Sequence, residues 1–282
     1  MPPAPSFPGR THSMTRLLLA SAATLARLLP GRLAYGLARA VASLFWAADA
    51  ARRRAVRANL LRVAPERTPK EREALARRMF ATFAESVVDA WRTGEVTIEG
   101  GERLADALAQ GHGVLLWSAH LGNWELAAEA LARSGLDVSA LARGHRDKEL
   151  EHYLDERRRK AGVRIVGRCP GGREARRVLR AHGLLALLGD RRFGAGGRAV
   201  PFFGTLARLP AAPIALARRT GAALVPGFVV RTAPGRYRVQ VEPPVTTTKG
   251  LALEALAAVL ERYVRAHPEQ WFVFEPVWDE SA

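Results

Sequence analysis

Between residues 95 and 266 short apolar runs alternate with segments of helical length, and this alternation constrains the chain more than any other feature. The runs are EVTIEG (95–100), GVLLWSA (113–119), DVSALAR (137–143), GVRIVG (162–167) and GLLALLG (183–189), with later ones at 222–230 and 237–242. Helices are expected between and after them, at 101–110, 124–134, 147–161, 172–182, 209–220 and 250–266. Uninterrupted apolar runs of this length predict strands buried on both faces, and repeated strand–helix units predict a parallel sheet. The expected fold class is therefore α/β: a mixed, largely parallel sheet wrapped by helices. With 282 residues, 48% of them hydrophobic, the chain can bury one core of that kind. No repeat or linker marks a second domain.

Upstream of the sheet the chain reads differently. Residues 1–13 are proline-rich and polar, and are expected to be a disordered tail. Residues 14–50 are apolar, but Arg16, Arg27, Arg32 and Arg39 interrupt every run before it reaches the length of a bilayer span, and Pro30-Gly31 splits the segment into two short helices. Such helices either lie on a membrane surface with their arginines in the headgroups or pack on the domain as ordinary helices. The adjoining ARRRAVRANLLR (51–62) favours the membrane, because its arginines suit an anionic surface. The domains are thus expected as a tail (1–13), N-terminal membrane-associated helices (14–60) and an α/β domain (61–282). Within the last, Thr68, Pro69 and Glu71 form a capping box for a helix over 68–92.

The net charge is +16, and only four of the 43 basic residues are lysines. Part of that excess reflects arginine-rich composition; the rest points to anionic partners such as nucleic acid, acidic lipid, an acidic carrier protein or phosphorylated substrates. Arg173, Arg177 and Arg180 recur at i, i+4 and i+7, which makes either a solvated helix face or a landing strip for an acidic protein or lipid phosphates. A single cysteine, Cys169, excludes an intrachain disulfide and fits a reducing environment. Without an HExxH pair, a histidine cluster or a P-loop, no metal or nucleotide cofactor is expected.

Chemistry is expected where strands end. His120 follows the run 113–119, at the carboxyl end where open α/β sheets place their ligands. Leu121-Gly122-Asn123 turn the chain, and Trp124 and Glu125 open the next helix. Across such a corner a carboxylate can hold one ring nitrogen of the histidine, leaving the other to take a proton from a hydroxyl. Asp190 occupies the same kind of position after the run 183–189, followed by Arg191, a glycine-rich loop and Pro201-Phe202-Phe203-Gly204. The last four residues are either core packing or an apolar wall for an acyl chain.

These stretches carry a resemblance. HLGNWE (120–125), then GD-R and VPFFG about seventy residues later, resemble the bacterial lysophospholipid acyltransferase superfamily, in its branch of lipid A biosynthesis late acyltransferases. RRAVRANLLRVAPE (53–66) and HPEQWF (267–272) are similar to that branch's terminal signatures, so the resemblance covers nearly everything from Met14 onward. It implies transfer of an acyl chain from a thioester, usually on acyl carrier protein, to a lipid hydroxyl. It also implies a peripheral or monotopic location on the inner membrane, with the active site facing the cytoplasm. Carried onto this chain, it makes His120 the general base, Glu125 its orienting carboxylate and Asp190 a further acidic group of the site. It assigns a functional arginine to the helix before Gly162, either Arg157 or Arg158. Asn123, Arg143, Arg191 and the Phe202-Phe203-Gly204 turn complete the candidates for contact with substrate, and Arg143 or the first amides of the helix at 124 are candidate donors to an oxyanion.

The chain departs from the branch after HPEQW, where FVFEPVWDE (272–280) replaces a stretch usually rich in Trp, His and basic residues. That departure bears on the acceptor, and leaves open mannosylated phosphoinositides or lysophospholipids beside a lipid A precursor. Other classes fit less well. Nucleic-acid binding would need exposed aromatics interleaved with the basic residues, or a known module. A hydrolase would be expected to carry a GxSxG elbow. A non-catalytic membrane-surface protein leaves the His-x4-Glu corner without a purpose.

Overall fold

The computed structural model describes residues 10–92, 94–142, 144, 147–167, 172–192, 196–247 and 251–278, the side chains of residues 10–17 excepted. Its centre is a seven-stranded sheet. The strands are β1 (Glu95–Glu99), β2 (Val114–Ser118), β3 (Val138–Leu141), β4 (Arg164–Val166), β5 (Leu184–Leu188), β8 (Ala223–Ala233) and β9 (Arg236–Val241). They lie in the order β1-β9-β8-β2-β5-β3-β4. All pairings are parallel except β8 with β9, so the sheet is largely parallel, as the apolar runs predict. Central β2 and β5 read VLLWS and LLALL, with Val114, Leu115, Trp117, Leu184 and Leu185 at most 1% exposed, because helices cover both faces.

One face is covered by α5 (Glu102–Ala109) and α6 (Trp124–Arg133), whose Leu104, Leu126 and Leu131 meet Leu116, Val225 and Tyr237 of the sheet. Next to α6 lies α7 (Lys148–Lys160). The other face carries the larger core. It brings together α3 (Ala50–Val63), α4 (Pro69–Arg92), α8 (Arg173–Arg180), α9 (Ala212–Thr220) and α10 (Ala252–Ala266) with Trp117, Leu185 and Phe228. The capping box at α4 forms as expected: the Thr68 amide donates to the Glu71 carboxylate at 2.7 Å, and the Glu71 amide donates to the Thr68 hydroxyl at 3.3 Å.

Two expectations about the N-terminus change. Helix α1 (Arg10–Leu28) begins inside the segment read as tail, and α2 (Gly31–Ala48) follows directly after Pro30. The segment drawn at 14–60 is also not set apart from the domain, since Trp46, Val56 and Leu60 belong to the main core. Three of the four arginines in 52–57 are committed within the protein. Arg52 pairs with Asp49, Arg53 donates to the carbonyls of Trp46 and Ala47, and Arg57 grips Glu73 through two bonds of 2.8 Å. Among the described residues no helix is long and apolar enough to cross a membrane.

The Pro201–Gly204 turn is legible in the sequence, but the strands that flank it are not. These are β6 (Arg198–Phe202) and β7 (Thr205–Leu209), an antiparallel hairpin. Phe203 and Gly204 make the two-residue turn with φ of 53° and 75°, the mirror-image geometry that matches strand twist. A phenylalanine tolerates this backbone here because its amide donates to Glu261 at 2.7 Å and its ring lies under Arg265.

Candidate active site

Parallel pairing of β2 with β5 sets Ser118 beside Leu188. Two residues beyond each strand end come His120 and Asp190, on neighbouring strands and on the same side of the chain. They meet: Nδ1 of His120 lies 2.7 Å from Oδ1 of Asp190, and the His120 amide donates to Oδ2 at 2.9 Å. The Trp271 indole N–H donates to that same Oδ2 at 2.9 Å. Asp190 is 1% exposed, so all three donors act in a site closed to water. Burial alone would raise its pKa. The charge and hydrogen bonds of His120, with the bond from Trp271, outweigh that and hold the carboxyl below the ordinary range.

The carboxylate on the histidine is therefore Asp190, and the expected His120–Glu125 pair is corrected. Glu125 sits on the first turn of α6, where it takes two bonds from Arg158 of α7 and one of 3.2 Å from the Trp124 indole. The register of β2 with β5 decides this: it brings Asp190 to the ring, while Arg158 draws Glu125 aside. Nε2 of His120 has no protein partner among the described residues. The ring is bounded by Trp124 in edge contact at 5.1 Å, and its side chain keeps 14% of its surface in contact with solvent.

The two arginines left open on α7 now separate. Arg158 reaches Glu125, whereas Arg157 reaches one turn further to Glu129, at 2.7 and 3.0 Å. Asn123 caps α6 by accepting from the Leu126 amide at 3.2 Å, and its own amide donates to the Ser86 carbonyl at 2.7 Å. Buried and tied at both ends, it holds the β2–α6 corner against α4. Arg143 lies outside the described residues. Phe202 is fully buried between Trp271 and Trp278, with centroid distances of 5.8 and 5.7 Å, and Phe203 packs on Trp278. These two rings belong to the core, and the open acyl wall expected of them is not present; Gly204 stands exposed at the hairpin tip.

A C-terminal strap completes the site; its HPEQWF stretch stands out in the sequence, but its contact with His120 and Asp190 does not. After α10 the single turn Pro268–Gln270 crosses the edge of the sheet. The Gln270 carbonyl accepts from the Gly122 amide at 3.0 Å, and the His120 carbonyl accepts from the Phe272 amide at 2.7 Å. Gly122 has φ of 58°, and a Cβ there would sit 2.3 Å from the Val229 carbonyl oxygen, so only glycine makes this turn. Further along, Glu275 binds Arg191 through two bonds of 2.6 and 2.7 Å. Asn59 of α3 donates to the Glu275 carbonyl at 2.9 Å and accepts from the Val277 amide at 3.1 Å. The signal for these contacts is present in the sequence, as the ANLL and HPEQWF stretches, but nothing local says that they touch.

Comparison with known proteins gives the family. Residues 10–280 match the family model described as bacterial lipid A biosynthesis acyltransferase. A phosphatidylinositol mannoside acyltransferase of Mycobacterium tuberculosis (strain ATCC 25618 / H37Rv) is 30% identical over 188 residues, which cover 64% of this chain and 59% of that protein. One from Mycolicibacterium smegmatis is 28% identical over 240 residues, 79% of this chain and 78% of that protein. The chain thus matches less than two thirds of the length of the M. tuberculosis relative. Among solved structures, a 1-acyl-sn-glycerophosphate acyltransferase from Thermotoga maritima aligns over 90% of this chain and 96% of its own, with 12% identity and a TM-score of 0.40. With the match running from α1 through the strap, the chain belongs to the bacterial lipid A biosynthesis acyltransferase family.

Proposed function

We propose that this protein is a membrane-associated O-acyltransferase that moves a fatty acyl group from a thioester to a sugar hydroxyl of a phosphorylated glycolipid. The observation that carries the reading is the His120–Asp190 pair at the carboxyl edge of the sheet, with Nε2 of the histidine unengaged. Asp190 holds Nδ1–H, which fixes the tautomer in which Nε2 has a lone pair and stabilises the imidazolium once it forms. Nε2 removes the hydroxyl proton as the oxygen attacks the thioester carbonyl. The C–S bond then breaks, and the imidazolium returns its proton to the leaving thiolate. Removing the proton in step with attack is worth about 10²–10⁴-fold.

The oxyanion that forms during attack needs fixed donors. The amides of Trp124 and Glu125 open α6 beside His120 and make no intrahelical bond, and the helix dipole adds to their pull. Arg158 of α7 is held on Glu125, in the first turn of α6. Its pairing with Glu125 keeps its charge in place, and its pKa is raised because the bonds and charges of Glu125 and Asp155 outweigh the opposing effect of burial.

The family description and the mycobacterial relatives name different glycolipids, a lipid A and a phosphatidylinositol mannoside. The similarity to the mycobacterial relatives favours the second, at 30% and 28% identity. The membrane association rests on α1 and α2, whose outer faces present Leu25, Leu28, Leu33, Leu37, Leu44 and Phe45 to solvent.

The test uses purified protein with a labelled acyl thioester and three acceptors: a lipid A precursor, a mannosylated phosphoinositide and a lysophospholipid. The expected result is transfer to the phosphoinositide that disappears in His120→Ala. Release of label to water alone would replace this reading by a thioesterase, and equal turnover by His120→Ala would remove the histidine from the mechanism.

A further inference from the structure

Strand β2 pairs with β8 only as far as Pro226, whereas β8 runs on to Ala233, and past that point a side chain bonds the backbone of β8 as a neighbouring strand would. The Arg231 amide donates to the side-chain oxygen of Gln270 at 2.7 Å, and the Gln270 side-chain amide donates to the Arg231 carbonyl at 3.0 Å. These are the two bonds that opposed residues exchange in an antiparallel ladder. Gln270 is buried, so both are made out of water. Its main chain serves the His120–Asp190 pair. The Gln270 carbonyl accepts from Gly122, two residues past His120, at 3.0 Å. The next residue, Trp271, sets its indole on Asp190 at 2.9 Å, and the one after, Phe272, donates its amide to the His120 carbonyl at 2.7 Å.

Arg231 is itself held. Its nearly buried side chain bonds Asp89 through Nε and Glu85 through Nη1, each at 2.6 Å. Both carboxylates belong to α4, and Ser86 between them takes the side-chain amide of Asn123 at 2.7 Å. One stretch of α4 thus grips the β2–α6 corner directly, and reaches the His120 turn a second time by way of Arg231 and Gln270.

We propose that Gln270 is a positioning residue for acyl transfer: by clasping the backbone of Arg231 it fixes the strap at the place where Trp271 meets Asp190 and Gly122 is bonded. The inference rests on the acyltransferase reading and adds to it a residue that acts through its neighbours. The strap has other anchors. Helix α10, which leads into it, buries Leu253, Leu256 and Leu260, and Asn59 holds its far end at Glu275 and Val277. Without the Gln270 side chain the strap is therefore still attached on both sides, and the part released is residues 270–272. Each of those three residues bonds the His120 turn or Asp190. The tolerance there is small, since a misplacement of about 1 Å is enough to cost about 10²-fold in rate.

The experiment compares wild type with Gln270→Met, which keeps the length of the side chain and removes both bonds to Arg231. Leu104→Ala is the control, a core change on α5 that lowers Tm from the face of the sheet opposite the one on which Trp271 and Phe272 pack. Transfer from a labelled acyl thioester is followed well below each Tm. In Gln270→Met kcat is expected to fall about 10–100-fold with KM within about twofold, whereas Leu104→Ala keeps kcat within about twofold of wild type. In isotopically labelled protein, the resonances of the His120 Nδ1 proton and the Trp271 indole proton are expected to move in Gln270→Met and to stay in place in Leu104→Ala. A change confined to KM, a kcat loss no greater than that of Leu104→Ala, or unmoved resonances overturns the proposal. If wild type transfers to no acceptor, the acyltransferase reading falls and the two resonances decide alone. Shifted by Gln270→Met they uphold the positioning role, and unshifted they refute it. Should the methionine variant not fold, Gln270→Glu, which retains the acceptor for the Arg231 amide, takes its place in the same comparison.

Discussion

Oδ2 of Asp190 accepts from a backbone amide and from an indole, and these two bonds aim Oδ1 at the His120 ring. The two contributions can be separated. Asp190→Asn keeps the volume but removes the charge that stabilises the imidazolium, and kcat is expected to fall about 10²–10⁴-fold with KM little changed. Trp271→Phe retains most of the packing on Phe202 and removes only the indole donor; a smaller loss, about tenfold, is expected from steady-state kinetics. Acid titration gives an independent check. Because the folded-state pKa of Asp190 is depressed, the stability it contributes is fully present above the ordinary carboxylate range near pH 4. That contribution is lost as pH falls through the depressed value. The acid limb of Tm against pH is therefore expected to be flatter in Asp190→Asn than in wild type. Equal limbs would mean that Asp190 is not ionised in the folded protein. Both acidic partners of the chemistry were legible at this scale, but not their assignment. Glu125 is near His120 in sequence, Asp190 is near it in space, and only the strand pairing tells them apart.

That pairing was itself written in the chain. Gly113 precedes His120 by the same seven residues that separate Gly183 from Asp190, and the two intervening runs are the paired strands β2 and β5. At the end of β5, Gly189 is fixed by its neighbour: a Cβ there would lie 1.8 Å from the indole nitrogen of Trp117, which is fully buried. Gly189→Ala forces that ring or the strand end to move. A loss of about 1–3 kcal/mol is expected, with a drop in Tm of several degrees in a thermal scan. An unchanged Tm would show that the strand end yields freely. The elements that escaped sequence analysis did so for physical reasons. Helix α3 carries too many arginines for an apolar periodicity, and it stands because Asp49 caps it and Val56 and Leu60 reach the core. In the β6–β7 hairpin, burial alternates within two five-residue segments, RAVPF and TLARL, too short and too interrupted by Arg198, Pro201 and Arg208 to register as strands.

At the scale of the whole molecule, the N-terminal helices are joined to the sheet by a buried polar hub. Asp89 of α4 is fully buried and accepts from Tyr35 of α2, Tyr237 of β9 and Arg231 of β8, as well as from the Gly235 amide. Burial, then the bond to Asp89, pushes the Tyr35 phenol up to about 12, so this contact stays protonated at any physiological pH. Helix α2 is thus held rigidly, with Ala34, Ala38, Ala42 and Trp46 turned inward and Leu33, Leu37, Val41 and Leu44 outward. Leu37→Asp combined with Phe45→Asp is expected to abolish flotation with vesicles while leaving Tm little changed, since Leu37 and Phe45 are 51% and 59% exposed. Retained flotation would place the membrane contact elsewhere.

The strap gives the protein a timetable. A ribosome delivers β2 and β5 long before it delivers Gln270, Trp271 and Glu275, so a growing chain holds His120 and Asp190 while the carbonyl beneath Gly122 and the indole on Asp190 are still missing. Asn59, made long before the strap, waits for the carbonyl of Glu275 and the amide of Val277, more than two hundred residues later. The His120–Asp190 site is therefore completed late, when residues 268–278 pack over the edge of the sheet.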